Sequence, residues 1–117
     1  MMHTELDVWK KSMDVTEHIY IITKEFPKIE HYTLARQTRR AALSIPSNIA
    51  EGASRRTTKD YLRFLYIALG SSSELETQCM LSKRLTYYDF DCEKDLTSVK
   101  RMLTAMIKSL EKGNKIK

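Results

Sequence analysis

Helix breakers are scarce in this chain, with three glycines and two prolines in 117 residues. No segment shows strand-period alternation either, so a strand-rich fold is excluded and long helices are expected. Cysteine is nearly absent: Cys79 and Cys92 are too few for a disulfide framework, which fits a reducing cytoplasm. His3, His18 and His31 stand far apart, and none has a histidine or cysteine at metal-ligand spacing, which argues against a metal site. No run approaches the length of apolar residues that a membrane span needs, so no membrane partner is expected. The first residues, Met-Met-His-Thr-Glu-Leu-Asp, lack a basic region followed by an apolar one, so no secretory signal is expected. Phosphate loops, His-Glu-x-x-His and Gly-x-Ser-x-Gly are all missing. The chain is therefore expected to use no cofactor and not to be an enzyme.

What is present is helical periodicity. The chain reads as a single domain over 1–117, with helices over roughly 4–25, 30–54, 58–85 and 91–112. In the first, Leu6, Trp9, Met13, Thr16, Tyr20 and Thr23 form one stripe and Val8, Val15, Ile19 and Ile22 a second. Two stripes exceed what one neighbour can cover, which suggests both core packing and a subunit contact. Thr4, with Asp7 three residues on, resembles a capping box, and Phe26-Pro27 closes the helix. The second helix continues through Pro46, which cannot donate to the Ala42 carbonyl and is expected to kink it. Thr57 is placed to cap the third helix, where Gly70 and the following serines would let another helix approach closely. The fourth opens with Asp89, Asp91, Glu93 and Asp95, carries Leu96, Val99, Leu103, Met106 and Leu110, and is expected to stop at Gly113-Asn114. Four helices and short connections give an all-α, up-down-up-down antiparallel four-helix bundle.

The net charge of +5 is concentrated. Arg36, Arg39, Arg40, Arg55, Arg56, Lys59 and Arg63 face only Glu51 and Asp60 between residues 35 and 63, while the rest of the chain balances. Such a segment predicts a basic patch. If helices two and three form an antiparallel hairpin about Thr57, Arg40 lies level with Glu74 and Glu51 level with Arg63. These pairs, flanked by Asn48, would form a polar seam fixing the register, or would be solvated surface ions of little weight. Tyr61 falls on the core stripe; Tyr66 is the aromatic expected beside the arginines.

The run from Tyr32 to Gly52, Tyr-Thr-Leu-Ala-Arg-Gln-Thr-Arg-Arg-Ala-Ala-Leu-Ser-Ile-Pro-Ser-Asn-Ile-Ala-Glu-Gly, resembles the signature of the four helix bundle protein family, whose relatives include proteins encoded in intervening sequences of bacterial 23S ribosomal RNA. Trp9 to Met13, Phe26-Pro27, Tyr61 to Ser71 and Glu74 to Gln78 extend the likeness over nearly the whole chain. The family also resembles the accessory variability determinant of diversity-generating retroelements, which works with RNA and a reverse transcriptase. The resemblance implies a homopentameric ring of four-helix protomers with a basic surface.

Together these readings predict a cytoplasmic, non-catalytic homo-oligomer associated with nucleic acid, most of all structured RNA. Arg36, Arg39, Arg55, Arg56 and Lys59 would contact phosphates, with Arg40 and Arg63 partly committed to acids. The competing expectation is an oligomeric scaffold that recruits a protein such as a reverse transcriptase.

Overall fold

The computed structural model describes residues 2–88 and 92–116, the last three by backbone only. Within them are four α-helices, α1 (Asp7–Thr23), α2 (Leu34–Ala53), α3 (Thr58–Arg84) and α4 (Glu93–Ile116), and no strand. Short 3₁₀ turns stand at His3–Glu5 and Lys28–Glu30. Each helix packs on its neighbours in sequence and α1 also on α4, forming a body 52 Å long and 20–21 Å across. The three-four spacing places Val15, Ile19, Ile45, Ile49, Leu65, Leu75, Leu96, Val99 and Leu103 in one shared core.

Local chemistry sets the ends. Thr57 is extended and its Oγ1 accepts from the Asp60 amide at 3.1 Å, starting α3. At the other end Thr86 adopts a left-handed φ of 62°, while the Tyr87 amide reaches the Ser82 carbonyl and the Thr86 amide the Lys83 carbonyl, a Schellman closure without its usual glycine. Three expectations need correction here. Thr4 does not cap α1: it lies in the 3₁₀ turn, Leu6 is the N-cap, and no side chain caps the helix. The chain after Pro27 spends a 3₁₀ turn before α2 begins at Leu34. Gly113 does not end α4, because no glycine takes the positive φ of a C-cap and the helix continues to Ile116. The acids Asp89 and Asp91, expected at the start of α4, lie outside the described residues.

Helix α2 runs unbroken through Pro46. Proline leaves the Ala42 carbonyl without its helical donor, and Ala42 is fully buried. The Thr16 hydroxyl of α1 meets that carbonyl at 3.0 Å, and also stands 2.7 Å from the Ser12 carbonyl in its own helix. That single hydroxyl proton, shared between the two carbonyls, stands in across the α1–α2 interface for the donor that Pro46 lacks. The close approach expected at Gly70 lies instead at Gly52. A Cβ on Gly52 would stand 3.0 Å from Phe64 Cβ and from Tyr61 Cδ1, whereas one on Gly70 would meet nothing within 4 Å.

Candidate nucleic-acid interface

Fold geometry divides the seven cations into two groups at opposite ends of α2, separated by roughly 20 Å of helix. Arg36, Arg39 and Arg40 project from its first half. They line a groove of about 380 Å³ with Tyr20 from α1, His31 and Tyr32 from the α1–α2 connection, and Leu43. An adjoining depression adds Lys24 and shares His31, Tyr32 and Arg39. Arg39 is held in place: its Nε donates to Thr23 Oγ1 at 2.7 Å, its Nη2 to the Tyr20 carbonyl at 3.3 Å, and its guanidinium lies 4.9 Å from the centre of the Tyr20 ring. Thr23 is itself buried, its hydroxyl 2.6 Å from the Ile19 carbonyl. A half-buried arginine fixed on a core threonine has already lost much of its rotamer freedom, so less ordering remains for a bound anion to impose. Arg36 and Arg40 are exposed, as is Tyr32 at 85%. The His31 ring nitrogen Nε2 lies 2.9 Å from the Phe26 carbonyl, which anchors the floor of the connection.

The second group surrounds the α2–α3 turn. Arg55 Nη2 donates to Glu51 Oε1 at 2.6 Å, and its guanidinium lies over Phe64. Arg63 covers the same ring at 4.4 Å and is 3.7 Å from Asp60 Oδ1. Phe64 thus meets two guanidiniums and is buried. Arg56 and Lys59 flank them, both exposed.

The expected seam takes a different form. Glu51 does not pair with Arg63, because an arginine four residues on in the same chain segment reaches it first, and Arg63 finds Asp60 one turn away. No ion pair joins Arg40 to Glu74 among the described residues, although both line one depression with Gln37, Ser44 and Ser71. The polar link across the hairpin is neutral: Ser44 Oγ and Ser71 Oγ share a hydrogen bond of 2.7 Å, and Asn48 Nδ2 donates to both the Ser44 carbonyl and Ser44 Oγ. Ser44 beside Ser71 falls within one residue of the pairing expected from a hairpin turning at Thr57. Asn48 thus serves the segment around Pro46, through Ser44. Tyr66 is exposed, and its hydroxyl donates to Glu111 at 3.0 Å, which raises its pKa and directs it to α4 rather than to the arginines.

Sequence periodicity did not single out Tyr20 and Tyr32 as groove residues. Tyr20 lies on an apolar stripe and Tyr32 precedes α2, so only the packing of α1 against α2 unites them with Arg36, Arg39 and Arg40. Among the described residues no group of three His, Cys, Asp or Glu gathers to hold a metal, and no helix is long and apolar enough to cross a membrane.

Known proteins share both the sequence pattern and the fold. Residues 4–112 match the 23S rRNA-intervening sequence protein family. The chain belongs to that family. A crystal structure of a protein of unknown function from the S23 ribosomal protein family of Bacteroides thetaiotaomicron superposes with a TM-score of 0.77 at 25% identity, covering 92% of this chain and 99% of that one. No curated protein matches the chain.

Proposed function

We propose that this protein is a non-catalytic, cytoplasmic oligomer that associates with RNA through the groove of Arg36, Arg39 and Arg40. The observation that carries this reading is the convergence in one groove of three arginines with Tyr20 and the exposed Tyr32. Arginines there neutralise phosphates, and an aromatic face left to solvent accepts an unpaired base, the combination by which proteins hold loops of structured RNA. The cations at the α2–α3 turn extend the positive field, with Arg55 and Arg63 partly offset by their acids. The family resemblance supports an up-down-up-down protomer closed into a pentameric ring, and exposed Met13 and Ile21 on α1, outside the groove, provide apolar surface for contacts between copies. Repeating the groove around a ring multiplies the number of phosphates neutralised.

The test is binding of a fluorescent hairpin RNA with an unpaired loop, at low salt, to the native protein and to Tyr32→Ala. Loss of a stacked base is expected to weaken binding by about 1–3 kcal/mol. Equal affinity in the two proteins would remove the groove from the interface. A second reading, a scaffold that recruits a protein such as a reverse transcriptase, is favoured by the exposed Met80, Leu81 and Leu85 at the end of α3. A complex that survives nuclease treatment would select it over RNA association.

A further inference from the structure

The two cysteines lie thirteen residues apart in sequence and meet in space. Cys79 near the end of α3 and Cys92 immediately before α4 are both free and buried, at 1% and 2% exposure, and the Cys79 thiol stands 3.0 Å from Cys92 Sγ, which donates toward it or accepts from it according to which sulfur is protonated. Tyr88 closes the site from the connecting segment: its hydroxyl donates to the Cys79 carbonyl at 3.1 Å and lies 3.6 Å from Cys92 Sγ. Its ring stacks on Phe26, with centroids 6.4 Å apart. The two sulfurs need to approach by only about 1 Å to reach bonding distance.

We propose that Cys79 and Cys92 form a dithiol site that a peroxide converts into an intramolecular disulfide, and that small thiols restore. The geometry divides the roles. With Cys92 as thiolate, its Sγ accepts the Cys79 thiol proton as a hydrogen bond, and it stands at a helix start, so it is the sulfur better able to carry the charge. That hydrogen bond is the main cause that lowers its pKa to about 7, with Tyr88 contributing and burial opposing. The thiol of Cys79, partner in the same bond and buried, is pushed upward.

The chemistry balances in two steps. Cys92 thiolate attacks one peroxide oxygen, the O–O bond breaks, and a sulfenic acid and hydroxide result. Cys79 sulfur then attacks Cys92 Sγ, its proton leaves with the departing hydroxide as water, and the S–S bond forms. Overall two thiols lose two protons and two electrons, and one peroxide becomes two waters. Two molecules of a small thiol reverse the oxidation and leave as their own disulfide. Cytosolic disulfides of this kind are typically transient and redox-sensing rather than structural.

The experiment treats the folded protein with hydrogen peroxide, then denatures it, blocks remaining thiols with a maleimide and measures the intact mass. Before oxidation two adducts are expected. Afterwards none is expected, with the mass lower by two hydrogens, the chain still monomeric on a non-reducing denaturing gel, and both adducts regained after dithiothreitol. Tying α3 to α4 across so short a loop should also raise the melting temperature of the oxidised protein by roughly 10 °C. Cys92→Ser serves as control and should show neither the hydrogen loss nor the thermal shift. Two adducts after peroxide, oxygen addition without a crosslink, or a disulfide between chains would each overturn the proposal.

Discussion

Replacing Thr16 with valine removes one hydroxyl and almost nothing else, which makes it a sharp probe of how α2 tolerates Pro46. The valine keeps the shape of the side chain in a site that is 6% exposed. The Ser12 carbonyl loses only a second partner, since the α1 backbone already serves it. The Ala42 carbonyl loses its donor outright, because Pro46 has no N–H to offer and Ala42 is fully buried. Leaving a buried carbonyl unpaired costs about 1–3 kcal/mol. For a chain of this size that is a fall of roughly 5–15 °C in melting temperature. Pro46→Ala returns the helical donor to the same carbonyl, so Thr16→Val should cost little in that background. Denaturant unfolding of the four proteins, followed by far-UV circular dichroism, gives the coupling, expected at about 1 kcal/mol or more. An equal cost of Thr16→Val with and without the proline would refute the compensation.

Three further outcomes follow from other parts of the fold. Gly52→Ala should destabilise by about 1–3 kcal/mol, because the new Cβ meets Phe64 Cβ and the Tyr61 backbone rather than a flexible tip, whereas Gly70→Ala should stabilise by about 0.5–1 kcal/mol through helix propensity alone; chemical denaturation of the pair checks the contrast. Thr86→Gly should stabilise by up to about 1 kcal/mol, since a β-branched residue at a φ of 62° occupies a conformation that glycine adopts freely; an unchanged or lower unfolding midpoint would contradict this. The Glu30 carboxyl accepts from Thr33 and from Tyr87, and these bonds hold its pKa below the ordinary value. A depressed carboxyl stabilises the fold above its unfolded pKa and loses that contribution as pH falls through the folded value. Tyr87→Phe should therefore lower the melting temperature near neutral pH, with the gap to the native protein narrowing as the pH drops through that window.

Much of the bundle was legible from spacing. The three-four alternation of Leu65, Ala68, Ser72, Leu75 and Cys79 marks the buried face of α3, and Thr57 announces its start. What the pattern could not reveal depends on how the helices meet. Thr16 reads as an ordinary stripe position, and only the α1–α2 packing makes it the substitute for the donor that Pro46 removes. The cations read as one patch because they are close in sequence, yet a continuous helix carries Arg36 and Arg56 to opposite ends. Local competition decides the ion pairs: Arg55 and Asp60 are nearer to Glu51 and Arg63 than any cross-hairpin partner. Tyr20 and Tyr32 belong to different segments from the arginines they join, and Cys79 and Cys92 stand on either side of the α3–α4 connection, so neither grouping has a sequence signature.

The central claim, that the α2 arginines meet phosphates, is tested most directly by the salt dependence of RNA binding. Fluorescence anisotropy of a labelled RNA, titrated with native protein over a range of potassium chloride, should give a straight fall of log K against log salt. Arg36→Gln with Arg40→Gln should make that slope shallower by about 0.7 for each single-stranded phosphate that is no longer neutralised. No binding at low salt, a flat dependence, or a slope untouched by the two substitutions would contradict the account.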